Sequence, residues 1–289
     1  MRLGLSIAGA VAVLAAGAAV AGTPYPRTIK CPVGGKTFTY TDTMSYSTWG
    51  SRPDGKPYGS WIFPLPLAKC PDNGLVVFDQ FKPDETKQLA ALIATDEYRA
   101  LAARETNYFL AGWLMEKLGR DPATAAWMVV EASWEADGNP EQKARYQRIY
   151  VDKIRALPKG DDAANWLIMQ GRGANGLREL GRFDEAKALL ATLDLKSLDV
   201  PVPEEKVVGT TPSGAGRQIS NFEEIRAAKR KRSFLAYFEH LAGAIDARDA
   251  RSEPIGMIPE RVARMMCEAK DARLSEADKA DCAALARAQ

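Results

Sequence analysis

The chain has 289 residues, of which 46% are hydrophobic and 26% charged, with 39 Lys and Arg against 37 Asp and Glu. This balance lacks the basic footprint of a nucleic-acid binder and any acidic excess, and the length suits one large domain or two small ones. The single histidine, His240, rules out multi-His metal sites.

In chain order, Arg2 precedes an apolar run from Leu3 to Val20 that ends in the small-x-small triplet Ala19-Val20-Ala21. Residues 1–21 therefore read as a cleavable secretory signal, with the mature chain starting near Gly22. The richness in Ala and Gly and the cleavage triplet favour removal over an uncleaved anchor, so no membrane span is expected afterwards. The expected location is the periplasm or beyond, where an even cysteine count reads as disulfides.

Residues 22–82 differ in kind from the rest of the chain. Short β-like runs at Thr28–Lys30, Lys36–Thr41, Trp61–Phe63 and Leu75–Phe81 are interrupted by Pro53, Gly55, Pro57, Gly59, Pro64 and Pro66. Two near-identical phrases stand out, Cys31-Pro32-Val33-Gly34-Gly35 and Cys70-Pro71-Asp72-Asn73-Gly74. Each reads as a zinc knuckle, C-P-x-C-G, with Gly34 or Asn73 where the second thiolate would stand. Two sulfurs are too few to close a tetrahedral site, so no metal or other cofactor is expected. Four cysteines allow three pairings. A ribbon would bring the two knuckle turns face to face, and a Cys31–Cys70 bond there would add about 4 kcal/mol by loop entropy.

From residue 83 to 194 the chain reads as helical. Asp84 is expected to cap a helix carrying Leu89, Leu92 and Ile93, and a second segment runs from Tyr98 to Leu118. Asp121-Pro122 and Asn139-Pro140 each place an N-cap before a proline at the first helical position. They open helices with Trp127, Val130 and Trp134, then Tyr146, Ile149, Tyr150 and Ile154 on one face. A further pair, Asp162–Leu180 and Asp184–Leu193, is separated by Gly181-Arg182-Phe183. Residues 195–219, with Pro201, Pro203 and Pro212, read as a linker. Residues 220–289 return to helix. Ser220 with Glu223 suggests a capping box for a long helix through Phe234, Tyr237 and Leu241, and Ser275 with Asp278 suggests another. Cys267 and Cys282 lie almost symmetrically about the turn between two helices, Arg261–Asp271 and Glu276–Ala288, so an antiparallel hairpin brings them close. The expected fold is mainly α, a tetratricopeptide-like helical body with a small β/loop N-terminal head.

The repeat reading rests on Ala174-x-x-Leu177-x-x-x-Gly181-x-Phe183-x-x-Ala186-x-x-x-Leu190-x-x-Leu193, which matches a tetratricopeptide unit at most signature positions. Small Ala174 and Ala186 let two helices approach, Gly181 makes the turn and Phe183 plugs the end. A weaker copy surrounds Gly112 and Leu118-Gly119. From Ile29 to Leu193 the layout resembles an uncharacterised bacterial family that pairs a zinc-ribbon-like head of two C-P-x-C-G knuckles with a tetratricopeptide-like body. The resemblance implies a shape and no reaction. In that frame the inner helices present Phe109, Trp113 and Glu116 from one unit and Asn175 and Arg178 from the other to a partner-binding groove. Asn and Arg there could hold a peptide backbone or carboxylate while the aromatics supply contact area.

Other signals have plainer readings. Gly171-Arg172-Gly173-Ala174-Asn175-Gly176 is a literal G-x-G-x-x-G, but its helical surroundings lack the strand a dinucleotide site needs. Lys229-Arg230-Lys231-Arg232 reads as a solvated helix face. Glu131 and Glu135, four residues apart, are the nearest thing to an acid–base pair, at a spacing common on helices. No catalytic residue is singled out. The expected role is non-catalytic docking of a protein partner in the cell envelope, through the groove or the head. A metal-binding head and a carboxylate-dependent envelope hydrolase are the alternatives.

Overall fold

A computed structural model describes residues 22–160, 162–210, 216–269 and 274–287. The expected signal, residues 1–21, lies outside them. The head begins with Thr23–Lys30 (β1) and Thr37–Ser45 (β2), paired antiparallel with Ile29 opposite Phe38 and Arg27 opposite Tyr40. Strand alternation turns Ile29, Phe38 and Tyr40 to a half-buried face and leaves Thr28 and Thr39 exposed, their hydroxyls 2.8 Å apart. Thr48–Ser51 (β3) pairs with Pro57–Gly59 (β4), and Ala68–Lys69 (β5) with Val76–Val77 (β6). The run Trp61–Phe63 bends instead of forming a strand, because Pro64 and Pro66 remove the N–H groups that a ladder needs.

The two C-P-x-x-G turns are built alike. Cys31 N–H donates to Lys36 O and Cys70 N–H to Leu75 O, both at 2.8 Å. The fourth residue after each cysteine, Gly35 and Gly74, has φ of +73° and +74°, a backbone region that favours glycine. A disulfide joins Cys31 to Cys70, with Cα atoms 5.8 Å apart. It packs with Leu75, Val76, Leu89, Tyr98, Leu110 and Leu114, so the head shares a core with the first helices of the body.

Those helices are Pro83–Ile93 (α1), Asp96–Ala102 (α2), Asn107–Lys117 (α3), Pro122–Glu135 (α4), Pro140–Ala156 (α5), Ala163–Glu179 (α6) and Phe183–Ala191 (α7). From α3 to α7 each packs on the next, as in a helical repeat. Asp121 and Asn139 accept the Thr124 and Gln142 N–H groups at 2.8 and 3.2 Å, capping α4 and α5. The cap of α1 is Lys82 and not Asp84. Pro83 takes the first helical position, and the Glu85 carboxylate reaches back to Lys82 N–H at 2.9 Å. Gly112 lets α3 and α4 meet closely, since a Cβ there would lie 3.0 Å from Ala125 O.

The stretch expected as a linker carries more structure than its prolines suggest. Leu195–Leu198 forms a 3₁₀ turn that buries Leu198, and Val207–Thr210 (β7) pairs with Arg217–Ile219 (β8). The long helix Phe222–Asp246 (α8) follows. Its N-cap is Asn221, because Ser220 is spent on the backbone of Lys206. Glu260–Glu268 (α9) and Glu276–Arg287 (α10) are joined by a Cys267–Cys282 disulfide. At the start of α10, Ser275 and Asp278 exchange hydrogen bonds in the expected capping box. No described helix is long and apolar enough to cross a membrane.

Candidate functional site

Asn175 and Arg178 of α6 do not face an open groove. Both are 0% exposed. Arg178 Nη1 donates to Arg251 O at 2.8 Å and also to Asp249 O, while Nε and Nη2 donate to Asn175 Oδ1 at 3.0 and 2.8 Å. Asn175 Nδ2 in turn donates to Glu179 Oε1 at 2.8 Å. Arg178 does hold a peptide backbone, but it belongs to the chain's own turn after α8, and Asn175 accepts from Arg178 instead. A guanidinium removed from water needs such partners, and the C-terminal segment supplies them. Phe109 stacks on Tyr146 with centroids 4.9 Å apart, Trp113 packs on Tyr98, and exposed Glu116 pairs with Lys153. The five groove candidates therefore do not line one open surface.

The same interior receives a loop from the head. Arg52-Pro53-Asp54-Gly55-Lys56 closes as a turn through Arg52 N–H to Lys56 O and Gly55 N–H to Arg52 O, both 2.9 Å. Gly55 has φ of +96°, and a Cβ there would press on Arg172 and Trp134. Buried Arg52 pairs with Asp54 and reaches Asp137, just beyond α4, at 2.8 Å. Lys56 and Lys143 meet the same Asp137 at 2.7 and 3.0 Å, and Lys143 approaches Glu179 at 3.5 Å. Burial would raise the Asp137 carboxyl, but hydrogen bonds from Arg52 and Lys56 outweigh it and hold it well below the usual range. Arg172 of α6 and Tyr237 of α8 both donate to Pro53 O. Head, body and C-terminal helix thus meet around five residues, of which sequence reasoning marked only Pro53 and Gly55, as chain breakers, and passed over Arg52, Asp54 and Lys56. Their signal was the Pro-Asp-Gly turn flanked by two cations.

Outside, the half-buried face of the β1–β2 ribbon overhangs a hollow of about 600 Å³ lined by Ile29, Tyr40, Val77, Phe78 and Phe81, with Arg27 and Lys30 beside them. The ribbon is two-stranded, so each strand has an outer edge. On β1 that edge carries Pro24 and Pro26. Cys31 N–H donates to Lys36 O, so by antiparallel alternation Lys30–Thr37, Thr28–Thr39 and Pro26–Thr41 are the non-bonded pairs, and the N–H groups of Thr37, Thr39 and Thr41 turn outward. The β2 edge contains no proline. Large apolar side chains of the head stand exposed, Met44 at 68% and Ile62 at 80%.

At the knuckles, Asn73 Nδ2 donates to Val33 O at 2.9 Å and ties one turn to the other. Gly34 has φ of +84°, a region that favours glycine, and a Cβ there would lie 3.1 Å from Asp72 Oδ2. One ligand atom each from Cys31, Cys70 and Asp72 lies within 4.8 Å of the others. In the disulfide, however, neither sulfur is a thiolate, the form that binds metal.

Glu131 is raised to about 7, first by burial and then by repulsion from Glu135, which burial also raises. Glu135 spends one oxygen on Tyr108 N–H at 2.9 Å, near the start of α3. Gly171, Gly173 and Gly176 lie inside α6, with no strand before them. Cβ atoms at the first two would come within 2.7 Å of Phe238 and Ile154, so these glycines serve helix packing. Of the basic run on α8, Arg232 pairs with Asp199 and Arg230 lies over Phe234. His240 is exposed on the same helix. No known family, curated protein or solved structure matches this chain.

Proposed function

We propose that the chain is an exported, non-catalytic docking protein of the cell envelope, and that its docking element is the head ribbon. Two disulfides fit an oxidising compartment. The observation that carries the reading is the outer edge of β2, with backbone donors at Thr37, Thr39 and Thr41 and no proline to block them. An extended partner segment adds a third strand there, and the hollow beneath the ribbon accepts its apolar side chains. The inward-facing Asn175 and Arg178 move this reading from the body to the head.

A photo-crosslinker at Thr39, in cells, tests it. Thr41→Pro removes an outward N–H while sparing the β1–β2 ladder, so it should abolish a defined adduct at Thr39 and leave thermal unfolding unchanged. An adduct that survives Thr41→Pro would sink the proposal.

The Cys31, Cys70 and Asp72 cluster favours a second reading, a metal site formed on reduction. Two thiolates and a carboxylate suit zinc with one open position. Elemental analysis and thiol mapping of the purified protein separate the two. Linked cysteines without zinc support docking, and free thiols with stoichiometric zinc support the metal site.

A further inference from the structure

From the charge balance at the seam between head, α6 and α8, we infer a binding site for an amphiphilic organic anion, anchored by Arg172. A hollow of about 440 Å³ opens there, within the range of small-molecule sites and at a junction of chain segments, where such sites concentrate. Its polar wall carries Arg52, Arg172, His240 and the hydroxyls of Ser51 and Ser233. Its apolar wall is formed by Phe234, Tyr237, Met257 and Ile258. No Asp or Glu is among its lining residues.

Arg172 is the decisive group. The other interior cations have carboxylate partners: Arg52 has Asp54 and Asp137, Lys143 has Asp137, and Arg178 has Glu179 at 3.7 Å. Arg172 has no carboxylate within 4.0 Å among the described residues. One Nη donates to Pro53 O, the guanidinium lies over the Tyr237 ring at 4.5 Å, and its Nε is buried without a hydrogen-bond partner. A half-buried cation with spare donors loses hydration without recovering a counter-charge. An incoming carboxylate supplies both the charge and paired acceptors, the geometry a guanidinium recognises best. Arg172 also borders a cavity of about 20 Å³ with Asp54, Gln147 and Asn175, room for a single water and no ligand. The anion therefore enters from the larger hollow, its charged head on Arg172 and its apolar body against Phe234, Tyr237, Met257 and Ile258.

Titration calorimetry of the full-length oxidised protein with 4-phenylbutyrate, beside its neutral amide, tests this. Saturable binding of the acid, at least about 10-fold tighter than the amide and lost in Arg172→Gln, is the expected result. Because Arg172 also holds the head loop, Ser233→Trp serves as a second variant. Ser233 is exposed on α8 at the hollow, so tryptophan there should block it and leave thermal unfolding unchanged. Equal binding of acid and amide, undiminished binding by Ser233→Trp, or no saturable binding at about 10 mM acid would each overturn the assignment.

Discussion

Gly171 in α6 and Gly243 in α8 are both helical glycines, and their surroundings give the same substitution opposite signs. A Cβ at Gly171 would sit 2.7 Å from a ring carbon of Phe238, itself buried in the core, whereas nothing lies within 4 Å of one at Gly243. Gly171→Ala should therefore cost about 1–3 kcal/mol by overpacking, despite alanine's better helix propensity. Gly243→Ala should stabilise by about 0.5–1 kcal/mol. Denaturant melts of the two variants check both signs. Glu131 offers a pH test. Its folded pKa of about 7 lies above the unfolded value, so the folded state holds the proton more tightly. That contribution is full below pH ~4.3, the unfolded glutamate value, and is lost as pH rises through about 7. Glutamine mimics the protonated form at every pH. Relative to wild type, Glu131→Gln should therefore gain about 1–2 kcal/mol between pH ~4 and pH ~8, after discounting for partial exposure. Equal effects at both pH values would refute the shift. At this scale the sequence was legible for packing residues such as Gly112 and opaque for Asn175 and Arg178. Their chemistry suited backbone recognition, but the backbone that Arg178 meets belongs to a turn more than seventy residues away, and Asn175 meets Arg178 itself.

Elements whose signals are local were readable. Asp121-Pro122, Asn139-Pro140 and the Ser275–Asp278 box each start a helix where the residues say, because a cap needs only its own first turn. Ser220 and the supposed linker show the limit. Ser220 was drawn away by Lys206 across the β7–β8 hairpin, a pairing with no signature strong enough to read from its short strands. The two disulfides differ in access. Cys31 and Cys70 are 1% exposed, whereas Cys267 and Cys282 are only half-buried. Mild dithiol treatment should open Cys267–Cys282 first, as exchange requires approach to a sulfur. Alkylation and peptide mapping over time reads the order. Losing the head bond, with its longer sequence separation of 39, should cost about 4 kcal/mol, against about 3 for the separation of 15.

For the whole molecule, the mainly α architecture with a small β head was legible from periodicity and breakers, but not the way the head inserts into the body. Arg52 and Asp54 are each 8% exposed at the side chain, and a neutral residue at 54 leaves Arg52 with Asp137 and the more distant Glu253. Because Asp137 still pairs with Arg52, Asp54→Asn should destabilise by about 1–3 kcal/mol, and replacing both Arg52 and Asp54 with apolar residues of like volume should cost less. A double-mutant cycle in denaturant measures the difference.

The reach of the Arg52–Lys56 loop also has a kinetic consequence. Its bonds span 85 residues to Asp137, 119 to Arg172 and 184 to Tyr237. Closing loops of that length carries an entropic penalty that contacts between neighbouring helices avoid, so the helices assemble first and the loop docks late. Interactions absent from the folding transition state set the unfolding rate alone. Asp54→Asn should accordingly leave the refolding arm of a chevron nearly unchanged and raise the unfolding arm, shortening the lifetime of the native state. The loop acts as a latch on a molecule whose walls are already standing.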